Sequence, residues 1–161
     1  MRNRLHPDIL HERLAATVPA LEALTAGLDA DGWCFQPRPD EWSVTEIVCH
    51  LRDVDREVHL PRLQSLLVED EPFLAGVVSD EWAAERGYCT QDGRQALADL
   101  GVARAELLTW LPPAGDPGWE RRGRHTFFGP TAFWELVCLI AEHDELHIEQ
   151  ARATLAALAA G

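Results

Sequence analysis

Apolar residues recur at every third or fourth position in four long stretches of the sequence, and this spacing limits the fold more than any other feature. In the first stretch, residues 5–28, the series includes Leu10, Leu14, Val18 and Leu21. Such spacing places the apolar side chains on one face of an α-helix. No stretch shows the alternation of apolar and polar residues that is typical of a half-buried strand. We therefore predict an all-α protein, built as a four-helix bundle.

Capping and breaking residues indicate where these helices begin and end. Ser43 followed by Glu46 is a capping-box pattern that starts the second helix, and Pro61 predicts a kink within it. Thr90 or Asp92 is the expected cap of the third helix. The predicted main helices span residues 5–28 and 44–68, the stretch from the Thr90 or Asp92 cap to residue 111, and residues 131–159, with a shorter helix at residues 79–86. Glycine and proline residues predict long loops before the second and the last main helix, at residues 33–41 and 114–129.

Length, charge and cysteine usage limit the class of protein. The chain has 161 residues, the size of an ordinary domain, and residues 1–161 are predicted to form a single domain. The formal net charge of −13 disfavours a nucleic-acid partner, because phosphate binding requires clustered Lys and Arg. The basic group Arg121, Arg122 and Arg124 is expected to be a solvated loop or a contact for an anionic substrate. No apolar run approaches the ~20 residues of a membrane span, so we expect a cytoplasmic protein with reduced, mostly buried cysteine thiols.

His143 and His147 lie four residues apart in the last predicted helix, about 40° apart around its axis. Both imidazoles can therefore reach one metal ion, although in a chain with seven histidines this spacing also arises by chance. Their motif, HDELH, has Asp where metalloproteases with the HExxH pattern have the general-base Glu. Because no residue after His147 completes such a site, a third ligand has to come from an upstream helix.

The best upstream candidate is His50, near the start of the second predicted helix. The inward face of that helix is predicted to continue through Val54, Glu57 and Pro61. His59 lies about 180° around the helix from His50 and is predicted to be solvated or at an interface. The histidines expected at the surface are His6, His11 and His125, with a position over the pocket as the alternative for His125.

Two blocks of the sequence resemble the DinB-like (DinB/YfiT) superfamily of metal-dependent four-helix-bundle proteins. The first block is PDEWSVTEIVCHL at residues 39–51, and the second comprises GPT at residues 129–131 and HDELHIEQ at residues 143–150. Their order, at opposite ends of a chain with four predicted helices, is a fairly specific combination. The resemblance implies a bundle in which the three candidate histidines hold one divalent ion, zinc or nickel. It also implies a homodimer.

Carboxylates near these histidines are the candidates for catalytic roles. Asp144 and Glu145 flank the ligands, and one of them, or Glu46, is expected to accept a ligand N–H and thereby fix its tautomer. Asp53 and Glu57 follow the first histidine by one and two turns and are candidates for a general base, with a solvated helix face as the alternative. The aromatic residues expected either in the core or at the pocket mouth are Trp42, Phe127, Phe128 and Trp134.

Three imidazole ligands leave at least one coordination position open, as in catalytic rather than structural zinc sites. The superfamily includes low-molecular-weight thiol S-transferases and a mycothiol-dependent isomerase. Family analogy therefore predicts a metal-dependent transferase that uses a low-molecular-weight thiol and a small electrophilic substrate. The alternatives are a non-catalytic metal-binding protein of the stress response and a metal-dependent hydrolase. A pocket beside an open metal position would favour an enzyme over a non-catalytic protein.

Overall fold

The structure is a computed structural model in which residues 4–160 are described. Its helices are α1 Pro7–Thr25, α2 Ala30–Cys34, α3 Val44–Val54, α4 Leu60–Val68, α5 Trp82–Glu85, α6 Gly93–Thr109 and α7 Phe133–Ala160. The bundle consists of α1, the continuous pair α3 and α4, α6 and α7. Helix α1 packs on α6 and α7, and α3 packs on the same two helices. The predicted four-helix bundle is confirmed.

A π-helical turn, Asp55–His59, joins α3 to α4 without a break. Its wider hydrogen bond runs from the backbone N–H of Leu60 to the carbonyl of Asp55, five residues earlier. The turn lies directly before Pro61, which has no N–H to donate and whose ring crowds the preceding turn. The predicted disturbance at this proline is therefore a π turn in an otherwise continuous helix.

The extra residue of the π turn rotates the following part of the helix by about 100° relative to a regular α-helix. Within the turn Glu57 is exposed, and after it Pro61 is exposed, so the prediction that they continue the inward face is wrong. Asp55 and His59 are buried in their place, with 1% and 7% exposure. The prediction that His59 is solvated is wrong for the same reason.

A small β-sheet replaces part of the loop that was predicted at residues 114–129. The strands are β1 Phe73–Leu74, β2 Arg122–His125 and β3 Gly129–Ala132. Strand β1 pairs with β2 in parallel, and β2 pairs with β3 as an antiparallel hairpin. The residues of β2 that face inwards are Gly123 and His125, between exposed Arg122 and Arg124. Because no branched apolar residue marks the alternation, the sequence pattern did not reveal this strand.

The observed helix ends explain how the histidine-bearing segments are placed. Ser43 and Glu46 form the predicted capping box, in which the backbone N–H of Ser43 donates to the Glu46 carboxylate at 2.7 Å. Asp92, one of the two predicted caps, accepts from the first backbone N–H groups of α6. Helix α7 begins at Phe133, two residues later than predicted, because Pro130 lies in β3.

Two apolar clusters fill the bundle, and a polar layer separates them. The cluster nearer the start of α3 contains, among others, Leu21, Ile47, Leu51, Leu100 and Ile148. The other contains, among others, Leu14, Leu63, Leu107, Phe133 and Ile140. The buried residues between them include Thr17, Asp55, Arg104 and Asp144. Each long helix therefore contributes a buried polar residue between two apolar stretches.

Within the described part of the chain, no helix combines the length and apolar character needed to cross a membrane. All four cysteines are thiols, but the expectation that they are mostly buried holds for only two of them. Cys49 and Cys138 are buried, whereas Cys34 and Cys89 are exposed.

Candidate metal centre

The three predicted ligands, His50, His143 and His147, meet between α3 and α7; we call them the histidine cluster. Their ring centroids lie 4.5 to 5.3 Å apart. One ring nitrogen from each lies within 4.8 Å of the other two. His50 is fully buried, whereas the side chain of His143 keeps 26% of its exposure. The cluster thus has a closed side towards the core and an accessible side.

The spacing of one pair of ring nitrogens fits two ligands of a single divalent metal ion. The Nε2 atoms of His50 and His143 are 3.2 Å apart. Two nitrogen ligands at 2.0–2.1 Å from one tetrahedral zinc ion would be about 3.3 Å apart. In His147, Nδ1 donates to Oε1 of Gln150 at 2.8 Å, which leaves Nε2 as the atom with a free lone pair. The donor set of three imidazoles suits zinc, nickel or a similar ion.

Burial keeps the imidazoles of His50 and His147 uncharged. Burial, reinforced by repulsion from His147 and His143, lowers the pKa of His50 to about 3. Burial and the neighbouring His143 lower the pKa of His147 to about 4. The hydrogen bond with Gln150 and the carboxylates of Asp144 and Asp80 oppose this lowering of the pKa. Both side chains are therefore neutral at pH 7, the form in which histidine binds a metal.

A second buried polar group, which we call the arginine cluster, consists of Arg104, Asp55, Asp144 and Thr17. Arg104 binds Asp55 through two hydrogen bonds of 2.8 and 3.2 Å and also donates to Asp144. Burial alone would raise the pKa of Asp144, but the Arg104 guanidinium holds that pKa well below its usual range. Asp144, a predicted catalytic candidate, is therefore a permanently charged carboxylate in the core, on the far side of His143.

The other catalytic candidates bind cations rather than the histidine cluster. Asp53 accepts hydrogen bonds from Arg52, Arg86 and Tyr88 at 2.7 to 3.0 Å. Burial would raise the pKa of Asp53, but the hydrogen bonds from these donors outweigh it and the pKa is lowered, which makes the carboxylate a weak base.

The remaining two carboxylates among the candidates are exposed. Glu57 forms a two-bond ion pair with Arg86, at 2.6 and 2.9 Å. Glu145 binds Arg13 at 2.7 Å on the surface of the bundle. Together with Asp53, Glu57 anchors the segment that carries Arg86 to α3, so the contacts of these candidates are structural.

Trp42 lines the mouth of the cavity beside the histidine cluster. Its ring stacks on that of His147, with centroids 5.9 Å apart and planes inclined by 10°, and lies 4.9 Å from His50. A cavity of about 340 Å³ lies against these rings; it is lined by Asp40, Glu41, Trp42, Asp80, His147 and Gln150. Of the three histidines, His147 lines this aromatic and acidic cavity, so the cavity borders the histidine cluster at that residue.

The sequence matches the family model of the DinB superfamily over residues 13–151, a span that includes the whole histidine cluster. This chain belongs to the DinB superfamily. The resemblance carried by residues 39–51 and 143–150 is thus confirmed. No curated protein sequence matches the chain.

Among solved structures, the DinB fold of this chain is similar to that of YfiT from Bacillus subtilis. That protein is described as a probable metal-dependent hydrolase with an unusual four-helix bundle topology. The TM-score is 0.83 at 18% sequence identity, and the match covers 96% of this chain and 90% of that chain. The likeness establishes the fold. Fold and histidine cluster together indicate a site for a divalent metal ion in this DinB-superfamily protein.

Sequence reasoning missed Arg104, Asp55 and His59 around this DinB-family site. His59 Nδ1 lies 3.0 Å from Oδ1 of Asp55, and its ring stands edge-on to that of His143 with centroids 5.4 Å apart. One signal was available, because Arg104 interrupts an apolar stripe that includes Leu100 and Leu107. A charge on such a stripe indicates a buried partner.

Of the aromatic and loop residues proposed for the pocket mouth, the structure places one beside the histidine cluster and the others elsewhere. Trp42 lies beside the cluster, whereas Phe127 and Phe128 are exposed and lie against His125 in the hairpin. His125 itself is buried, so its predicted surface position is wrong. Trp134 packs on the second apolar cluster. Glu46, an alternative tautomer-fixing residue, instead completes the capping box.

Proposed function

We propose that this DinB-superfamily protein is a metal-dependent enzyme that holds one zinc or nickel ion with His50, His143 and His147. The observation that carries the proposal is the convergence of three imidazoles on one point beside an open cavity. A non-catalytic metal site would be expected to have a filled shell or a closed pocket. The description of YfiT as a probable metal-dependent hydrolase supports the same class of function.

When bound, such an ion supplies Lewis acidity, which makes a water or a thiol more acidic and polarises a substrate oxygen. The protein sets the tautomer and charge of the ligands and orients the substrate. Gln150 holds the tautomer of His147, and the apolar surroundings keep His50 neutral. The indole of Trp42 offers a flat wall against which a small substrate can be oriented.

The acidic mouth restricts the substrate and favours hydrolysis as the first candidate reaction. Asp40, Glu41 and Asp80 line the cavity, and this charge, added to a net charge of −13, disfavours anionic substrates. Asp80 is exposed and lines the same cavity as His147, so we propose it as the group that accepts a proton from a water that attacks the substrate. We propose a neutral or cationic small molecule as the substrate.

Thiol transfer is the second candidate, supported by a second cavity beside the first. This cavity has a volume of about 440 Å³ and shares Glu41, Trp42 and Gln150 with the mouth. A transferase needs room for two substrates next to each other, and the pair of cavities offers it. A low-molecular-weight thiol without net negative charge would suit the acidic lining.

The test is a comparison of zinc-loaded and metal-free protein against ester and amide substrates, with and without a low-molecular-weight thiol. We expect turnover that depends on zinc, is lost in His147→Ala and persists in His11→Ala, a control in which an exposed histidine of α1 is removed. Turnover without thiol indicates hydrolysis, and turnover only with thiol indicates transfer. Equal rates in metal-free and zinc-loaded protein would refute the proposal, as would inactivity of fully loaded protein in both panels.

A further inference from the structure

Two buried polar atoms face each other without a hydrogen bond at the edge of the histidine cluster. Nδ1 of His143 and Oδ1 of Asp144 are 3.8 Å apart, and within the described residues neither has a hydrogen-bond partner. A buried polar atom left unpaired costs about 1–3 kcal/mol. A small rotation of the imidazole that brings the two atoms to about 2.8 Å would pair both. A rotation of the His143 imidazole would therefore convert this 3.8 Å gap into a hydrogen bond with Asp144.

The other oxygen of Asp144 is held firmly from three helices. Its Oδ2 accepts from Oγ1 of Thr17 at 2.8 Å and from Nη1 of Arg104. Arg104 is anchored in turn by its two bonds to Asp55 and by a 2.9 Å bond to the carbonyl of Leu14. Because α1, α6 and the π turn all fix this carboxylate, the position of Oδ1 is set independently of His143.

We infer that Arg104 is a positioning residue of the metal centre: through Asp144, it holds the His143 ring so that Nδ1 carries the proton and Nε2 is presented to the ion. Histidines that bind metals usually donate their second ring N–H to a carboxylate or carbonyl. Here the carboxylate lies on the same helix as its histidine and is oriented by a guanidinium from α6. The inference rests on the proposed metal centre and adds a residue that contacts no ligand directly.

The test is the zinc affinity of four proteins, measured by competition with a chromophoric chelator: wild type, Asp144→Asn, Arg104→Lys and Asp55→Asn. Asp55 and Asp144 are matched, because both are buried to 1% exposure and both bind Arg104. A purely structural role of Arg104 predicts similar losses in both Asn variants. Our inference predicts a zinc affinity about 10–100-fold weaker in Asp144→Asn and near-wild-type affinity in Asp55→Asn.

Arg104→Lys keeps the charge but loses the planar guanidinium, which binds Asp55 and Asp144 at the same time. We therefore expect a weaker zinc affinity than in wild type, with a smaller loss than in Asp144→Asn. Cobalt-loaded protein gives a second readout: the visible spectrum should change in Asp144→Asn and Arg104→Lys and stay as in wild type in Asp55→Asn. If Asp144→Asn does not fold, Thr17→Val carries the test, since it removes one bond to the same carboxylate; its zinc affinity should fall.

Four outcomes would overturn the inference. They are unchanged zinc affinity in folded Asp144→Asn, unchanged zinc affinity in folded Arg104→Lys, equal losses in Asp144→Asn and Asp55→Asn, and unchanged affinity in Thr17→Val when Asp144→Asn is unfolded. Failure of the proposed function looks different. In that case wild type itself binds no zinc, and the variants cannot differ from it in zinc affinity.

Discussion

The histidine cluster and the arginine cluster lie side by side in the same bundle, and they differ in how their polar groups are satisfied. In the arginine cluster, the guanidinium of Arg104 meets two carboxylates, a hydroxyl and a backbone carbonyl. In the histidine cluster, three imidazoles face one another, and the Nδ1 atom of His143 has no partner within the described residues. In the arginine cluster every charge is paired with an opposite charge, and Oδ1 of Asp144 is the one carboxylate oxygen without a hydrogen bond among the described residues of that cluster. In the histidine cluster, ring nitrogens lie close together with no opposite charge among them.

This difference separates a structural site from a candidate functional site. Buried charges persist in proteins when they are paired, as in the arginine cluster. The three imidazoles gain nothing from each other beyond one possible hydrogen bond, that between His50 and His143 at 3.2 Å. Burying these polar side chains therefore lowers the free energy of unfolding without a compensating interaction between them. Such residues are typical of binding sites.

The largest expected effect comes from breaking the arginine cluster. Arg104→Met leaves Asp55 and Asp144 as unpaired buried charges, so the free energy of unfolding of metal-free protein should fall by about 3–5 kcal/mol. Urea unfolding measures this change. Arg152→Met is the control, because Arg152 forms an exposed pair with Glu149 and its loss should change stability by less than about 0.5 kcal/mol. A loss below about 1 kcal/mol in Arg104→Met would mean that the cluster is not held as described.

Zinc should stabilise the protein through the histidine cluster alone. At a free zinc concentration 100 times the Kd, the free energy of unfolding should rise by about 2.7 kcal/mol in wild type. The gain should vanish in His147→Ala and remain in His11→Ala, measured by urea unfolding with and without zinc. An equal gain in His147→Ala would place the zinc elsewhere.

Acid should distinguish the two clusters by the pH at which each loses stability. The folded pKa values of His50 and His147, about 3 and about 4, lie below the ordinary value of 6.5, so between pH 4 and 6.5 the unfolded state binds more protons. Stability of metal-free protein should therefore fall by about 1–2 kcal/mol from pH 7 to pH 6. Asp144, whose pKa is lowered, should contribute only below its ordinary value of 3.8.

The variant His147→Gln isolates the histidine contribution to this pH dependence. Urea unfolding in the presence of a chelator should show a shallower slope between pH 7 and pH 6 for this variant than for wild type. An unchanged slope would show that His147 is not the buried neutral imidazole that its pKa implies.

The smallest effects are expected at two carboxylates that are near the histidines in the sequence but form exposed ion pairs in the structure. Glu57→Gln and Glu145→Gln each remove one member of an exposed ion pair, so the free energy of unfolding should change by less than about 0.5 kcal/mol. Zinc affinity, measured by chelator competition, should stay within about twofold of wild type. A tenfold loss in either variant would restore that residue as a candidate for the metal centre.

The sequence was sufficient to predict the bundle, because the apolar spacing in each long helix and the caps at Ser43 and Asp92 act locally. It also brought His143 and His147 together, since both lie on one face of one helix. The placement of His50 beside them needed the order of the helices in space, for which the family resemblance was the stronger argument.

What the sequence did not reveal depends on irregular backbone. The single extra residue of the π turn exchanged Glu57 and Pro61 for Asp55 and His59 on the inner face, and no helical period predicts such a shift. The partnership of Arg104 with Asp55 and Asp144 spans 49 and 40 residues. Such pairs become visible only when the helices are packed.

Elemental analysis of protein reconstituted with zinc and then dialysed tests the central claim most directly. Our account predicts about one zinc ion per chain in wild type and in His11→Ala, and close to none in His50→Ala and His147→Ala. Retention of zinc by folded His50→Ala and His147→Ala, or the absence of zinc and nickel from folded wild type after reconstitution, would contradict it and leave three histidines that are merely packed.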